Sequence, residues 1–441
     1  MAGLNLLVLE MKKSSRKKET ALKIVRKLRR EGFAAYFVGG CVRDMLMRKA
    51  PRDFDIATDA RPVQTRKVFP GETYPVGAKF GTLLLVRNKM PYQISTFRDK
   101  KGKYSPSLLE DLSSRDFTIN GLAYEPLKKK IIDPGGGKTD IRQKRICAIG
   151  DAYSKFRQDP LRLIRAVRLA ATLGFKIEKR TLRTVKKMAA AVKRASKERI
   201  RDELILIFTG PNPGLGLELL DETRLLKNLL PQVDKLKGVR QPKAFHPEGD
   251  VFKHTLLMLK KLKKPSLVLA LACLFHDIGK PRTFELAERI RFSGHDRVGA
   301  QMTERILKRL KFSNKEREAI VSCVENHMRM MEAPKMRRAT LKRLFVRPTF
   351  EQEFKLHYID CIASHGDLTV WRFLKREYAK FKKRPVIPKP LLNGHELIKI
   401  GFTPGPIFGK ILKAMVDLQL EGKLKSKSAA KKWAANNFKK R

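Results

Sequence analysis

Apolar positions spaced three and four apart read as a helix over residues 18–31. From Phe33 to about Gly150 the spacing changes, and short apolar runs alternate with polar turns, as strands do in a mixed domain. Gly81 to Val86 and Pro91 to Phe97 read as paired strands joined through Arg87-Asn88-Lys89-Met90. Beyond Asp151, long amphipathic helical stretches run almost unbroken to the C-terminus. Two Pro- or Gly-containing stretches interrupt them, Leu236 to Asp250 and Arg384 to Pro390. The pattern predicts an α+β fold in four parts: a head with a small mixed sheet (1–150), an all-helical neck (151–235), a helical domain (236–384) and a small basic helical unit (385–441). No internal repeat is visible.

The longest apolar stretch, Leu267 to Phe275, is too short to cross a bilayer. The amino terminus places apolar residues ahead of basic ones, the reverse of a secretory signal. The five cysteines, Cys41, Cys147, Cys273, Cys323 and Cys361, lie far apart without a Cys-x-x-Cys pair, which suits reduced thiols and a cytoplasmic location. At 441 residues, 42% hydrophobic and 32% charged, the chain is expected to be soluble and globular, with more than one core. Its formal charge of +53 implies affinity for polyanions through counterion release. Lys and Arg are spread over the whole length, so a large folded RNA matches better than a small acidic ligand. The tail from Lys423 to Arg441 interleaves Trp433 and Phe438 with basic residues, a pattern suited either to stacking on RNA or to a solvated amphipathic helix.

Candidate chemistry begins with Tyr36-Phe37-Val38-Gly39-Gly40-Cys41-Val42-Arg43-Asp44, which sets a glycine pair between an apolar strand and a helix. Glycines let backbone N–H groups approach a phosphate at a helix start. Asp53-Phe54-Asp55 follows on the next strand, where side chains at i and i+2 share a face, so Asp53 and Asp55 can share one metal cluster. Triphosphate on one side and a carboxylate-held Mg²⁺ pair on the other is the layout for nucleotidyl transfer. Either half alone has a plain explanation, a turn or a surface loop; their order and spacing set them apart. Farther on, Asp159-Pro160 opens a helix, with Arg162, Arg165 and Arg168 at every third position on one broad face and Asp159 close to Arg162. A carboxylate accepts from an exocyclic amine while a guanidinium donates to a ring acceptor, so one Asp–Arg pair accepts cytosine and adenine and rejects uracil and guanine. The structural alternative is a surface ion pair worth less than about 1 kcal/mol.

Together these segments resemble the tRNA nucleotidyltransferase and bacterial poly(A) polymerase superfamily in its class II, bacterial branch. Asp111-Leu112-Ser113-Ser114-Arg115-Asp116-Phe117-Thr118-Ile119-Asn120 is similar to its second motif, and Asp133-Pro134-Gly135-Gly136-Gly137 to its third. The run from Asp159 to Arg168 resembles the fourth. Ser196 to Leu204 resembles the fifth, a helix that braces the site. The likeness runs through about the first 230 residues. It implies that Asp53 and Asp55 hold Mg²⁺, that Gly39, Gly40 and Arg43 lie on the triphosphate, and that Arg115, Arg162, Arg165 and Arg168 position base, sugar and phosphates. It implies tRNA, CTP and ATP as partners, and nothing about oligomeric state. The chain departs from the family pattern at Gln93, where a glutamate is usual, at Gln158 in place of Glu before Asp159, and at Ser114 in place of an arginine. The segment Asp99 to Ser114 is also shorter than in typical CCA-adding members, as in enzymes that add only the two cytidines.

A second constellation lies downstream: His254, Phe275-His276-Asp277-Ile278-Gly279, Gly294-His295-Asp296, Asn326-His327 and Asp360. The order His, His-Asp, distant Asp resembles the HD superfamily of metal-dependent phosphohydrolases. That resemblance implies a divalent metal on His254, His276, Asp277 and Asp360, with His295 and His327 as candidates to complete a two-metal site. Imidazole with carboxylate suits transition metals better than Mg²⁺ alone, and such a site activates water against a phosphate ester. The best reading of the whole is a template-independent tRNA nucleotidyltransferase, CCA- or CC-adding, with a nucleotidyltransferase head, a helical body and an accessory HD domain. Its rivals are a poly(A) polymerase, an HD phosphohydrolase whose head only binds RNA, and an RNA chaperone acting through charge alone.

Overall fold

The computed structural model describes residues 2–75, 81–383 and 389–438. The chain divides into two compact units, Met1–Ile207 with Leu215–Leu229, and Phe208–Gly214 with Leu230–Arg441.

The first unit is built on a seven-stranded sheet. Its strands are β1 (Ala35–Val38), β2 (Asp55–Thr58), β3 (Thr73–Tyr74), β4 (Thr82–Arg87), β5 (Met90–Thr96), β6 (Ala123–Glu125) and β7 (Lys130–Ile132), in spatial order β3-β4-β5-β2-β1-β6-β7. Only β2 and β5 run parallel, with Ile56 opposite Ile94; the remaining pairs are antiparallel. The hairpin expected near residue 88 closes more tightly than its sequence suggests. Arg87 pairs with Met90, leaving a two-residue turn in which Asn88 and Lys89 both take positive φ, 53° and 58°. Such a turn matches the twist of the strands it joins.

The first helix spans Ala2–Arg30, well beyond the expected 18–31. No Gly or Pro follows Gly3 in that stretch, so nothing in the sequence stops the helix earlier. Its buried residues Ala21, Ile24, Val25 and Leu28 pack with Phe37, Val42, Phe54, Ile56, Leu85 and Ile94 into the head core. Phe37 is fully buried, with its ring 5.4 Å from that of Phe54.

Helices Ala152–Gln158, Leu161–Leu173, Lys179–Met188 and Lys197–Phe208 complete most of this unit. Leu161–Leu173 begins after Pro160, whose ring suits a helix start, and ends at Gly174 in the left-handed conformation. It buries Leu163, Ile164, Ala166, Val167 and Ala170, which leaves Arg162, Arg165 and Arg168 for the other side.

The second unit is helical. Val251–Lys261, Leu267–Phe275, His295–Arg309, Asn314–Asn326 and Phe350–Ala363 surround a set of buried histidines, and a short hairpin pairs Glu285–Leu286 with Ile290–Arg291. Among the described residues, no helix is long and apolar enough to cross a membrane. All five cysteines are free. Of the expected break at Arg384 to Pro390, residues 384–388 lie outside the described residues.

The last helices, Gly394–Lys399, Pro406–Leu420 and Lys427–Phe438, close over a core of their own that includes Leu397, Ile411 and Met415. Trp433 and Phe438 pack against that core, ring to ring at 5.5 Å. They fill apolar space rather than standing free to stack on bases, because a helix this small needs them for its own burial.

Replacing Phe37 by Ala is expected to cost about 3–5 kcal/mol of stability, the usual penalty for emptying a buried aromatic site, and a urea unfolding curve monitored in the head measures it.

Candidate functional site

The first site is organised by one strand register. β1 and β2 pair with Val38 opposite Asp55, so the turn leaving β1 lies beside the start of β2. Gly39 fills that turn with φ 72°, a conformation glycine adopts without strain, and its N–H donates to Leu122 O at 3.1 Å. A side-chain carbon on Gly39 would stand 3.3 Å from Arg115 Nη1, and one on Gly40 would stand 3.5 Å from Arg43 Nη2. The bare backbone thus faces two guanidinium groups across a cavity of about 590 Å³, lined also by Asp55, Arg98, Asp159, Arg162, Arg165 and Arg168.

Five of the six cavity arginines are held from behind. Arg43 donates to Asp44 and, at 2.8 Å, to Asn120 Oδ1. Arg115 donates twice to the buried Asp111. Arg165 pairs with Asp116 at 2.9 Å, and Arg168 with Glu203 at 2.6 Å. Arg162 donates to the main-chain oxygens of Lys155 at 3.0 Å and Ser114 at 3.4 Å. Lys155 itself is buried, with its ammonium on Ser113 O at 2.6 Å, and burial pushes its pKa down to about 8. Despite full burial, Arg165 and the Phe117 N–H keep Asp116 below the usual carboxylate range, so it is ionised at neutral pH.

Asp53 and Asp55 do not both belong to the strand. β2 starts at Asp55, and Asp53 precedes it in irregular chain, where Lys17 of the first helix binds Asp53 Oδ1 and Arg52 O, each at 2.7 Å. Phe54 between them is buried in the core, so both carboxylates turn away from it. Asp55 lines the cavity, whereas the Asp53 side chain is 69% exposed beside it. Burial raises the pKa of Asp55, Arg115 opposes that, and the charge on Asp53 adds to it. A buried carboxylate with a second one beside it is a fit for a hard divalent cation, which takes oxygen ligands and relieves the repulsion. Gln93 also falls beside Asp55: the Ile56–Ile94 register, carried one step back, sets the two together. The position where the family places a glutamate is therefore neutral at this point of the sheet.

The surface ion pair between Asp159 and Arg162 that was the structural alternative to base reading is not formed. Asp159 instead takes a two-pronged bond from Arg199, at 2.7 and 3.3 Å, and accepts the Leu161 N–H at 3.2 Å. It lies just outside the helix that carries Arg162, where the free N–H groups of the first turn and the Arg199 fork compete for its oxygens. Among the departures from the family pattern, Gln158 donates to Lys100 O and accepts weakly from Arg162, and Ser114 bonds back to Asp111 O.

The second unit brings all six of its expected residues together. His254 Nε2 is 3.0 Å from Asp360 Oδ1, and its Nδ1 is 2.7 Å from Glu248 Oε1. His276 Nε2 lies 3.1 Å from Asp277 Oδ2, and His295 Nε2 lies 3.5 Å from Asp277 Oδ1 and 3.2 Å from His327 Nε2. The donors fall into two groups compact enough for one ion each, His254–His276–Asp360 and Asp277–His295–His327. At these distances His254 Nδ1 and Nε2, His276 Nε2 and Asp277 Oδ2 still lack an aligned hydrogen bond, although all are buried. Buried polar atoms without partners are costly, and divalent ions would satisfy them. Burial pushes His327 and His246 down to about 4, so both imidazoles are neutral, and against burial His276 and Lys280 hold Asp277 well below its usual value. Neutral imidazole and ionised carboxylate are the ligand forms a metal needs; against burial, Asp360 and Glu248 hold His254 up at about 9, so it would give up a proton on binding one.

Several functional residues were not singled out from the sequence. Asp116 and Asn120 stand inside the second motif, and Arg199 inside the fifth, so their place in a motif was the available signal. Glu203 also stands inside the fifth motif, Lys280 follows Asp277 by three residues and Glu248 precedes His254 by six; Lys17 had no such signal, because it reaches Asp53 from the first helix.

Comparison with known proteins bears on both sites. Residues 35–147 match the poly A polymerase head domain, 174–237 the probable RNA and SrmB-binding site of polymerase A, and 250–362 the HD domain. The chain is 31% identical to the A-adding tRNA nucleotidyltransferase of Deinococcus radiodurans, over 91% of this chain and 95% of that one. It is 30% identical to the CC-adding tRNA nucleotidyltransferase of Thermus thermophilus, over 90% and 92%. To the CCA-adding enzyme of Geobacillus kaustophilus it is 39% identical over 52% and 58%. Among solved structures, the Bacillus stearothermophilus CCA-adding enzyme in complex with CTP is similar, with a TM-score of 0.76 and 27% identity over 94% of this chain and 96% of that one.

Replacing Arg165 by Met strands Asp116 without its partner and is expected to destabilise the protein by about 3 kcal/mol. Asp116→Asn together with Arg165→Met should recover part of that loss, and thermal or urea unfolding of the three variants distinguishes the cases.

Proposed function

This chain belongs to the tRNA nucleotidyltransferase family, with a poly A polymerase head and an HD domain, and we propose that it builds or repairs the 3′-terminal CCA of tRNA, in full from CTP and ATP or as far as its two cytidines, without a template. The observation that carries the reading is the single cavity in which the glycine turn, Asp55 and the arginines of the second and fourth motifs converge. The tRNA 3′-oxygen attacks the α-phosphorus, the bond from that phosphorus to the bridging oxygen of the β-phosphate breaks, and pyrophosphate leaves. A divalent ion bound at Asp53 and Asp55, Mg²⁺ in this reading, supplies activation of the hydroxyl and neutralisation of phosphate charge. The Gly39–Gly40 backbone with Arg43 and Arg115 cradles the triphosphate, and Arg165 and Arg168 lend further positive charge to the nucleotide. Asp159 and Arg162 read the base as acceptor and donor. Free cysteines and a tRNA substrate support a cytoplasmic setting for this activity.

The extent of addition turns on the short segment after Arg98. Asp99 accepts the N–H groups of Lys101 and Lys103, both at 2.8 Å, and Arg98 bridges Tyr104, so the chain returns at once to the helix Leu108–Ser114. A turn tied this closely leaves little chain to rearrange between CTP and ATP, which favours a stop after the two cytidines.

A second activity is favoured by the paired metal groups in the other unit. His254, His276 and Asp360 would hold one divalent ion and Asp277, His295 and His327 another, and such ions would supply an activated water for phosphate-ester hydrolysis. Glu248 orients His254 by binding its far nitrogen.

Given a tRNA transcript lacking its 3′ end, with CTP and ATP alone and together, the protein should add two cytidines from CTP; full CCA addition would exclude the CC-only form. Asp55→Asn should lose several kcal/mol of transition-state stabilisation, about a thousandfold or more in rate. Protein purified without chelator should carry divalent metal that Asp277→Ala loses and the Asp53→Ala/Asp55→Ala pair retains, as read by elemental analysis.

A further inference from the structure

The stretch Leu236 to Asp250 closes on itself beside the histidines of the second unit. Arg240 pairs with Asp250 across an antiparallel bridge, and the Gln241 N–H donates to Gly249 O at 3.3 Å. Asp250 also caps the helix Val251–Lys261, which carries His254, by accepting the Lys253 N–H at 2.9 Å. Gln241 is thereby fixed at its backbone, and its side chain is buried. Both ends of its amide are used. Gln241 Oε1 accepts from Lys280 Nζ at 3.0 Å, and Lys280 reaches on to Asp277 Oδ2 at 2.7 Å. Gln241 Nε2 donates to Glu248 Oε1 at 3.1 Å, and that same oxygen lies 2.7 Å from His254 Nδ1. His254 belongs to one donor group and Asp277 to the other, so one side chain stands behind both.

We infer that Gln241 is a positioning residue that ties the two donor groups into a single two-ion site, setting Asp277 through Lys280 and His254 through Glu248. The inference rests on the reading of His254–His276–Asp360 and Asp277–His295–His327 as ligand sets. Three features support it. An uncharged amide accepts from an ammonium and donates to a carboxylate at once. A glutamate in its place would face Glu248 with like charge, and a methionine would satisfy neither neighbour. Lys280 and His254 are buried as Gln241 is, so each contact lies away from water, where a missing partner is costly. The donor groups also adjoin, with His276 Nε2 of one 3.1 Å from Asp277 Oδ2 of the other, so a shift in either disturbs its neighbour. Lys280 extends the relay further: its ammonium lies 5.2 Å from the Phe292 ring centre, and Phe292 O accepts from His295 Nδ1 at 2.8 Å.

The test is Mn²⁺ binding by the full-length protein carrying Asp53→Ala and Asp55→Ala, so that the head does not compete. Free Mn²⁺ is followed by electron paramagnetic resonance, and thermal unfolding is recorded for each variant. With Gln241 in place, two ions should bind. Gln241→Met keeps the length of the side chain and removes both polar ends. It should weaken both ions by about tenfold or more, the usual effect of removing the support behind a metal ligand. Gln241→Glu keeps the acceptor for Lys280 but repels Glu248, so it should weaken one ion and spare the other. A side chain that merely fills space would shift the unfolding temperature and leave both ions as tightly held as before. That result overturns the inference, as does a Gln241→Glu protein in which both ions weaken alike or neither does. Should Gln241→Met fail to fold, Gln241→Glu decides alone. If the protein with Gln241 intact binds no Mn²⁺, the ligand sets themselves fall, and the inference with them.

Discussion

The antiparallel register that sets Val38 opposite Asp55 is the constraint on which the head depends. It carries the glycine turn at the end of one strand to the carboxylate at the start of the next. β6 then pairs with the other edge of β1, Val38 opposite Ala123, and so delivers the second motif, with Arg115, Asp116 and Asn120, to the same strand end. A slip of one residue would turn Phe37 outward and Asp55 into the core. Burial of Phe37, Phe54 and Ile56 against the first helix therefore holds the chemistry in place as well as the fold.

Around that register, the site is a problem of holding positive charge still. Six arginines face one cavity, and like charges at close range would scatter into solvent without partners. The chain is poor in acids, 44 against 97 basic residues, yet Asp44, Asp111, Asp116 and Glu203 are spent directly behind these arginines. Arg162 is held instead by the carbonyl oxygens of Lys155 and Ser114. The excess charge elsewhere, spread along both units, remains available to a polyanionic substrate.

The two units contrast in ligand chemistry. The head offers carboxylate oxygens alone, hard donors for a hard ion that keeps its waters and meets substrate phosphates. The second unit offers buried imidazoles with two carboxylates, donors suited to transition metals. Asp277 serves as the hinge of that site: it touches His276 with one oxygen and faces His295 with the other, while Lys280 and His276 keep it ionised in an otherwise unfavourable burial.

The sequence by itself determined the division into a strand-rich head and a helical remainder, the strands that carry the glycine pair and Asp55, and the arginine face of Leu161–Leu173. Each follows from short-range periodicity, from Gly and Pro positions, or from motif spacing, which act within a few residues. Only the tertiary structure decided that Asp53 leaves the strand to meet Lys17, that Asp159 answers to Arg199 instead of Arg162, and that Trp433 and Phe438 are absorbed by their own small core. It also decided that Glu248 backs His254. In each case the deciding partner arrives from another element. A charged or aromatic side chain is satisfied by whichever neighbour packing brings closest, and no local pattern records which neighbour that will be.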